Sequence, residues 1–225
     1  NTTGERNTVV GYHAGSRFLQ YYSTAVGFHA GGYSTGSHNT FIGNEAGLGA
    51  SNSAPYSSGE KNTAVGSEAL KGFSSGYHNV AVGYQSLTSI STGHNNVAVG
   101  YGALDSLTTA DFTTAVGRGA GSNVTNGRFN TFYGYNAGGN SNASHVVAIG
   151  YNVYGSGASN KSYGVYIGSN AGRYDTSGEA TIAIGYNAVA CDSGGGNNPS
   201  SCIGIGNSAL NGITGQARSN IGIGG

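Results

Sequence analysis

The sequence predicts an all-β fold, a parallel β-solenoid of the β-roll kind with about thirteen rungs and a repeat of 16 to 18 residues. Three observations predict it: one nine-residue motif recurs along the whole chain, its copies are evenly spaced, and their β-branched residues fall in columns. Residues 62–70 read N-T-A-V-G-S-E-A-L. With the motif glycine as register mark, copies centre on Gly11, Gly27, Gly43, Gly66, Gly83, Gly100, Gly117, Gly134, Gly150, Gly168, Gly185, Gly206 and Gly224. The spacing is too short for paired-helix repeats, which need about 33 residues or more.

Directly before each mark stand Val10, Val26, Ile42, Val65, Val82, Val99, Val116, Tyr133, Ile149, Ile167, Ile184, Ile205 and Ile223. Two residues earlier the column is Thr8, Thr24, Thr40, Thr63, Val80, Val97, Thr114, Thr131, Val147, Val165, Ile182, Ile203 and Ile221. Alternate residues of a strand share a face, so the two columns point the same way. The expectation is that they form the core ladder, with the exchange of Thr for Val marking a packed position. Between them stand mostly small residues such as Ala25, Ala64 and Ala81, interrupted by Phe41, Phe132 and Tyr166; close packing is expected there too.

Each rung opens on a corner. Gly36, Gly59, Gly76, Gly93 and Gly127 each precede an asparagine by three residues, Asn39, Asn62, Asn79, Asn96 and Asn130. Asparagines stacked one rung apart can bond along the axis and favour a fixed register. After the mark an alanine column fits a narrow edge. The next position alternates between Leu70, Leu87, Leu104 or Leu210, expected to fill the core, and Gly15, Gly31, Gly47, Gly121, Gly138 or Gly172, expected to turn the chain. Insertions at 48–58 and 191–202 lengthen two rungs and read as loops. Towards the C-terminus the Thr column turns to Val and Ile, which predicts a more apolar core there. The whole of 1–225 reads as a single solenoid domain, an elongated body of roughly 60 Å if strands stack at about 4.8 Å. It starts without methionine, inside a repeat, and neither end carries a cap, so the expectation is a processed or partial product that continues or stacks on another copy.

Composition narrows the partners. Charged residues make up 8 % of the chain, nine basic against nine acidic, and 43 residues are glycine. Nucleic acid is not an expected partner, because a phosphate-binding surface needs clustered Lys and Arg. No apolar run approaches 18 residues, so no membrane span is expected. Cys191 and Cys202 flank the second insertion; a disulfide closing it would fit an oxidising compartment, and a pair of thiols is the alternative.

Chemistry is sparse. His13 and His29 hold equivalent positions in consecutive rungs and could share a metal, but the same column runs on through Glu45, Glu68, Gln85, Gly102, Gly119 and Asn136, the pattern of a solvated face. No nucleophile elbow, carboxylate pair in a cleft or register of calcium-binding aspartates is present; no metal, no cofactor and no enzymatic activity are expected. Tyr12, Phe28, Tyr84, Tyr101, Tyr135, Tyr151 and Tyr186 follow the mark as an aromatic stripe, suited to binding a glycan or a partner chain, or to stacking along the sheet. The Thr column would suit ice binding only if it faced outward.

The repeat N-T-A-V-G-x-x-A-L, as in residues 62–70 and 113–121, resembles the head repeat of trimeric autotransporter adhesins, the YadA-like left-handed β-roll, and related tail-fibre-like repeats. Its period is longer than that of those heads. The resemblance implies a parallel β-roll, often trimeric, displayed outside the cell. The leading expectation is an extracellular structural fibre subunit assembling through its ends or lateral faces, with itself as partner. The alternative is a cell-surface or phage-fibre adhesin head binding a glycan or host protein receptor through the stripe or the 48–58 loop.

Overall fold

A computed structural model describes residues 4–17, 21–139, 142–154, 162–173, 175, 180–189, 202–212 and 220–224. The chain divides into two compact units, Asn1–Thr113 and Thr114–Gly225. Each is a parallel β-solenoid with no helix among the described residues, and hence none long and apolar enough to cross a membrane.

In the first unit β1 (Thr8–Val10), β2 (Thr24–Val26), β3 (Thr40–Ile42), β4 (Thr63–Val65), β5 (Val80–Val82) and β6 (Val97–Val99) pair in chain order. In the second, β7 (Thr114–Val116), β8 (Thr131–Tyr133), β9 (Val147–Ile149), β10 (Val165–Ile167), β11 (Ile182–Ile184), β12 (Ile203–Ile205) and β13 (Ile221–Ile223) do the same. Every pair is parallel and in register at the motif, so Val80 lies beside Val97 and Val82 beside Val99. The rung spacing read from the sequence is therefore the spacing of paired strands.

The direction of the faces differs from expectation. The middle residue of the strand points inward: Ala25, Phe41, Ala64, Ala81, Ala98, Ala115, Ala148 and Ala183 are fully buried, and Phe132 and Tyr166 nearly so. The expected core ladder of Val10, Val26, Ile42, Val65, Val82, Val99, Val116, Ile149, Ile167, Ile184, Ile205 and Ile223 stands on the outer face, half-buried or exposed. The reason is volume. In most rungs the space facing the strand centre is already taken by another buried side chain, as Leu70, Leu87 and Leu104 show, so at the strand centre a methyl group fits. The Val and Ile columns towards the C-terminus likewise make the outer face more apolar, not the core.

Inside, most rungs balance one large residue against one small, the exceptions being Ala25 with Gly31 and Ala115 with Gly121. Where the strand centre is Ala64, Ala81 or Ala98, the fully buried partner six residues on is Leu70, Leu87 or Leu104. Where it is Phe41, Phe132 or Tyr166, the partner is Gly47, Gly138 or Gly172, and a Cβ there would lie 2.2 or 2.3 Å from the ring. These leucines adopt φ of 50° to 54°, a left-handed conformation costing roughly 1–2 kcal/mol. Burying a Leu side chain returns about 1.5–3 kcal/mol, enough to hold it there. Phe73, Ile90, Leu107 and Val124 complete the interior.

Two further columns join the rungs. The marker glycines sit at φ near 130°, and a Cβ on Gly83 would fall 2.5 Å from the carbonyl oxygen of Gly100. No other residue fits. The corner asparagines are buried, and each side-chain oxygen accepts the backbone N–H one rung on: Asn39 from Asn62 at 2.8 Å, Asn62 from Asn79 at 2.9 Å, Asn79 from Asn96 at 3.0 Å and Asn96 from Thr113 at 2.9 Å. The amides of Asn62 and Asn79 donate to the corner carbonyls of Gly76 and Gly93, both at 2.9 Å. The ladder is thus mainly side chain to backbone, with one amide-to-amide bond from Asn96 to Asn79 at 3.2 Å.

The volume rule predicts a non-additive pair. Ala81→Phe alone should destabilise the fold by about 1–3 kcal/mol through overpacking, and Leu87→Gly alone by about 2–5 kcal/mol through the cavity it leaves. The double variant, which recreates the Phe41 and Gly47 pairing, should cost less than either single change in urea unfolding; a simple sum of the two would refute the rule.

Candidate interaction face

The outer face of each unit is built from the two β-branched columns. None of the thirteen strands contains a charged residue. Within β2 to β6 the columns shield one another's flanks, so the side chains are half-buried while their tips face solvent; Ile42 is 40 % exposed. Threonine forms one column in β1 to β4, and valine replaces it in β5 and β6. In the second unit Tyr133, 58 % exposed, rises from an otherwise aliphatic column.

Aromatic ladders flank this face on both sides. After the marker glycines, Tyr12 stacks on Phe28 at 5.6 Å, Tyr84 on Tyr101 at 5.3 Å and Tyr135 on Tyr151 at 5.2 Å. All seven members of the stripe are exposed, Tyr186 among them. In-register strands hold successive rings about one strand spacing apart, so within each of the three pairs one face of each ring is turned to its partner. Arg118 lies over the Tyr135 ring at 5.6 Å.

On the other side run corner stacks that motif reading missed. Tyr22 stacks on His38 at 5.0 Å, Tyr77 on His94 at 4.6 Å, and His145 lies between Phe129 and Tyr163 at 5.0 and 4.9 Å. Their signal was the pair of residues before each corner asparagine, which are rich in Tyr, Phe and His. His94 also meets Asp111, Nδ1 to Oδ1, at 2.8 Å.

The His13 and His29 rings stack at 5.0 Å. Among the described residues no group of three or more His, Cys, Asp or Glu side chains is placed to hold a metal ion. The first insertion is exposed at residues 52–55 and rejoins the stack where Ser57 pairs with Ser34 and donates to the Phe73 carbonyl at 2.6 Å. Beside it an open hollow of about 450 Å³ is lined by Tyr33, Leu48, Ser51, Asn52 and Lys71. Lys71 is held by Glu45 at 2.6 Å, and that hydrogen bond raises its pKa above the usual lysine range. Cys191 lies outside the described residues, as does nearly all of the second insertion, and with it the expected bridge; no disulfide is present among the described residues, where Cys202 is buried.

A buried polar pair in the second unit was also not anticipated. Tyr166, stacked on Tyr154 at 4.4 Å, donates its hydroxyl to Asp175 Oδ2 at 2.8 Å. Burial, with the nearby Asp175 charge, pushes the phenol far above its ordinary value.

Comparison with protein-family models, with curated proteins and with solved structures returns no match.

The Tyr166 pair has a pH signature. Unfolded, the phenol loses its proton near pH 10; folded, it keeps it, so above that pH the unfolded state binds fewer protons and stability falls as pH rises. Tyr166→Phe should flatten the alkaline limb of the melting-temperature profile. An unchanged slope above pH 10 would show that the phenol titrates normally.

Proposed function

We propose that the chain is a structural subunit of an extracellular fibre, in which copies associate side by side through the outward β-branched ladder. The observation that carries this reading is the uncharged, β-branched, regularly spaced outer face, aliphatic in both columns of β5, β6 and β9 to β13. Soluble proteins rarely leave such a surface without a partner, and parallel sheets are ordinarily covered on both faces. The strand face of one unit, six or seven rungs by three residues, is only about 300 Å² on strand dimensions, against about 800 Å² per partner for a stable interface. The flanking tyrosines therefore belong to the contact.

The resemblance to YadA-like heads supports the same reading, with an extracellular location and with trimers as one mode of association. A mechanical role asks for no reaction and no cofactor. A glycan-binding adhesin is the alternative: sugar rings stack on open aromatic faces, and each pair of the stripe turns only one face of each ring to its partner. Ice binding stands as a second reading on one specific observation: the Thr column, expected inside, lies outside through β1 to β4.

Light scattering and electron microscopy of the purified chain test the proposal. Wild type should form oligomers or filaments, and Val82→Lys with Ile149→Lys, one change in each unit, should leave a monomer with nearly unchanged melting. Monomeric wild type at micromolar concentration, or an unaltered assembly in the variant, would overturn it. Freezing hysteresis by a monomeric wild type would favour the second reading, and discrete particles bound to a glycan array would favour the adhesin.

A further inference from the structure

The first stack of the stripe pairs tyrosine with phenylalanine, the second and third pair tyrosine with tyrosine, and the difference matters chemically. Tyr84 and Tyr101 are 42 % and 53 % exposed with rings 5.3 Å apart and 24° from parallel. Tyr135 and Tyr151 are 38 % and 53 % exposed, 5.2 Å apart and 14° from parallel. In each pair the two phenols come from successive rungs, 17 and 16 residues apart in sequence, and in-register pairing of the strands beside them keeps them together. A second observation points the same way: the chain has 16 tyrosines but no tryptophan and no methionine, and Cys202 is buried. The competitors for a one-electron oxidant are the other exposed tyrosines, Tyr12, Tyr21, Tyr22, Tyr77, Tyr133, Tyr163 and Tyr186, and what sets the two pairs apart from them is the stacking of phenol on phenol across successive rungs.

We infer that Tyr84 with Tyr101, and Tyr135 with Tyr151, are sites of oxidative cross-linking, each pair closing into a dityrosine that staples two successive rungs. The co-reactant is a peroxidase working with hydrogen peroxide. Each phenol gives up one electron and one proton; the two phenoxyl radicals join through a new carbon–carbon bond between ring positions ortho to the oxygens, and the ortho hydrogens shift to oxygen as the rings regain aromaticity. In balance, two tyrosines and one hydrogen peroxide yield one dityrosine and two waters. A cross-link of this kind does for a solenoid with an alanine-lined core what disulfides do for other proteins with little interior.

Tyr12 is a control supplied by the fold, since its neighbour is Phe28, which has no phenol. Tyr154 and Tyr166 are closer, at 4.4 Å, but buried beyond the reach of a macromolecular oxidant. The test is peroxidase and hydrogen peroxide treatment of the whole folded chain, read by dityrosine fluorescence and by mass spectrometry of digested peptides. Expected are cross-linked peptides joining 84 to 101 and 135 to 151, each lighter by two hydrogens, in chains that still run as single chains on a denaturing gel. Tyr84→Phe and Tyr135→Phe, which keep the stacks, should each abolish one cross-link and spare the other. The Val82→Lys, Ile149→Lys chain should cross-link like wild type, which separates this inference from the assembly proposed above. Dityrosine that forms equally in urea, that persists when both phenylalanine changes are combined, or that joins only separate chains would overturn it.

Discussion

Backbones of successive rungs lie against one another at the marker glycines. Within each unit a marker glycine lies against the marker glycine of the next rung, and an added Cβ on Gly11, Gly27, Gly43, Gly66, Gly83, Gly117, Gly134, Gly150, Gly168, Gly185 or Gly206 would come within 2.3 to 2.9 Å of its carbonyl group. Strand hydrogen bonds set the distance between rungs at about 4.8 Å, and at this corner nothing larger than a hydrogen fits into that distance. The glycine column is the condition for stacking the rungs in register, and the strand pairs, the asparagine ladder and the aromatic ladders all follow from that register.

The same tight winding decides what faces where. With little room inside, the interior takes alanine at the strand centre and adjusts the remainder by exchanging Leu for Gly six residues later, as Ala64 with Leu70 and Phe41 with Gly47 show. The β-branched residues that favour the strand conformation then have only the outer face. Their exposure is a consequence of a small interior, and the proposed association of copies is the way that surface leaves water.

Much of the fold was legible because a repeat samples one structural problem many times. Glycine, asparagine and β-branched columns each carry a distinct physical demand, and parallel strands in register satisfy all of them. The polarity of the faces was not legible from alternation, which separates two faces without saying which is inside; Val82 and Ala81 are both compatible with burial. The deciding signal lay six residues away, in the coincidence of glycine with Phe41, Phe132 and Tyr166 and of leucine with alanine, which reports a shared volume. Reading the strand in isolation also hid the Tyr166 and Asp175 pair, since Asp175 lies nine residues on and shares no register with other aspartates. The corner stacks stayed hidden because their members vary among Tyr, His and Phe and only their position repeats.

The direction of the strand faces is the claim on which the rest depends, and thiol accessibility measures it directly. In a chain with Cys191 and Cys202 replaced by serine and alanine, kept dilute and monomeric, Val82→Cys should react with a maleimide in the folded state at nearly the rate of the unfolded chain, whereas Ala81→Cys should be protected. Protection at 82 together with rapid labelling at 81 would contradict the account and return the β-branched ladder to the interior.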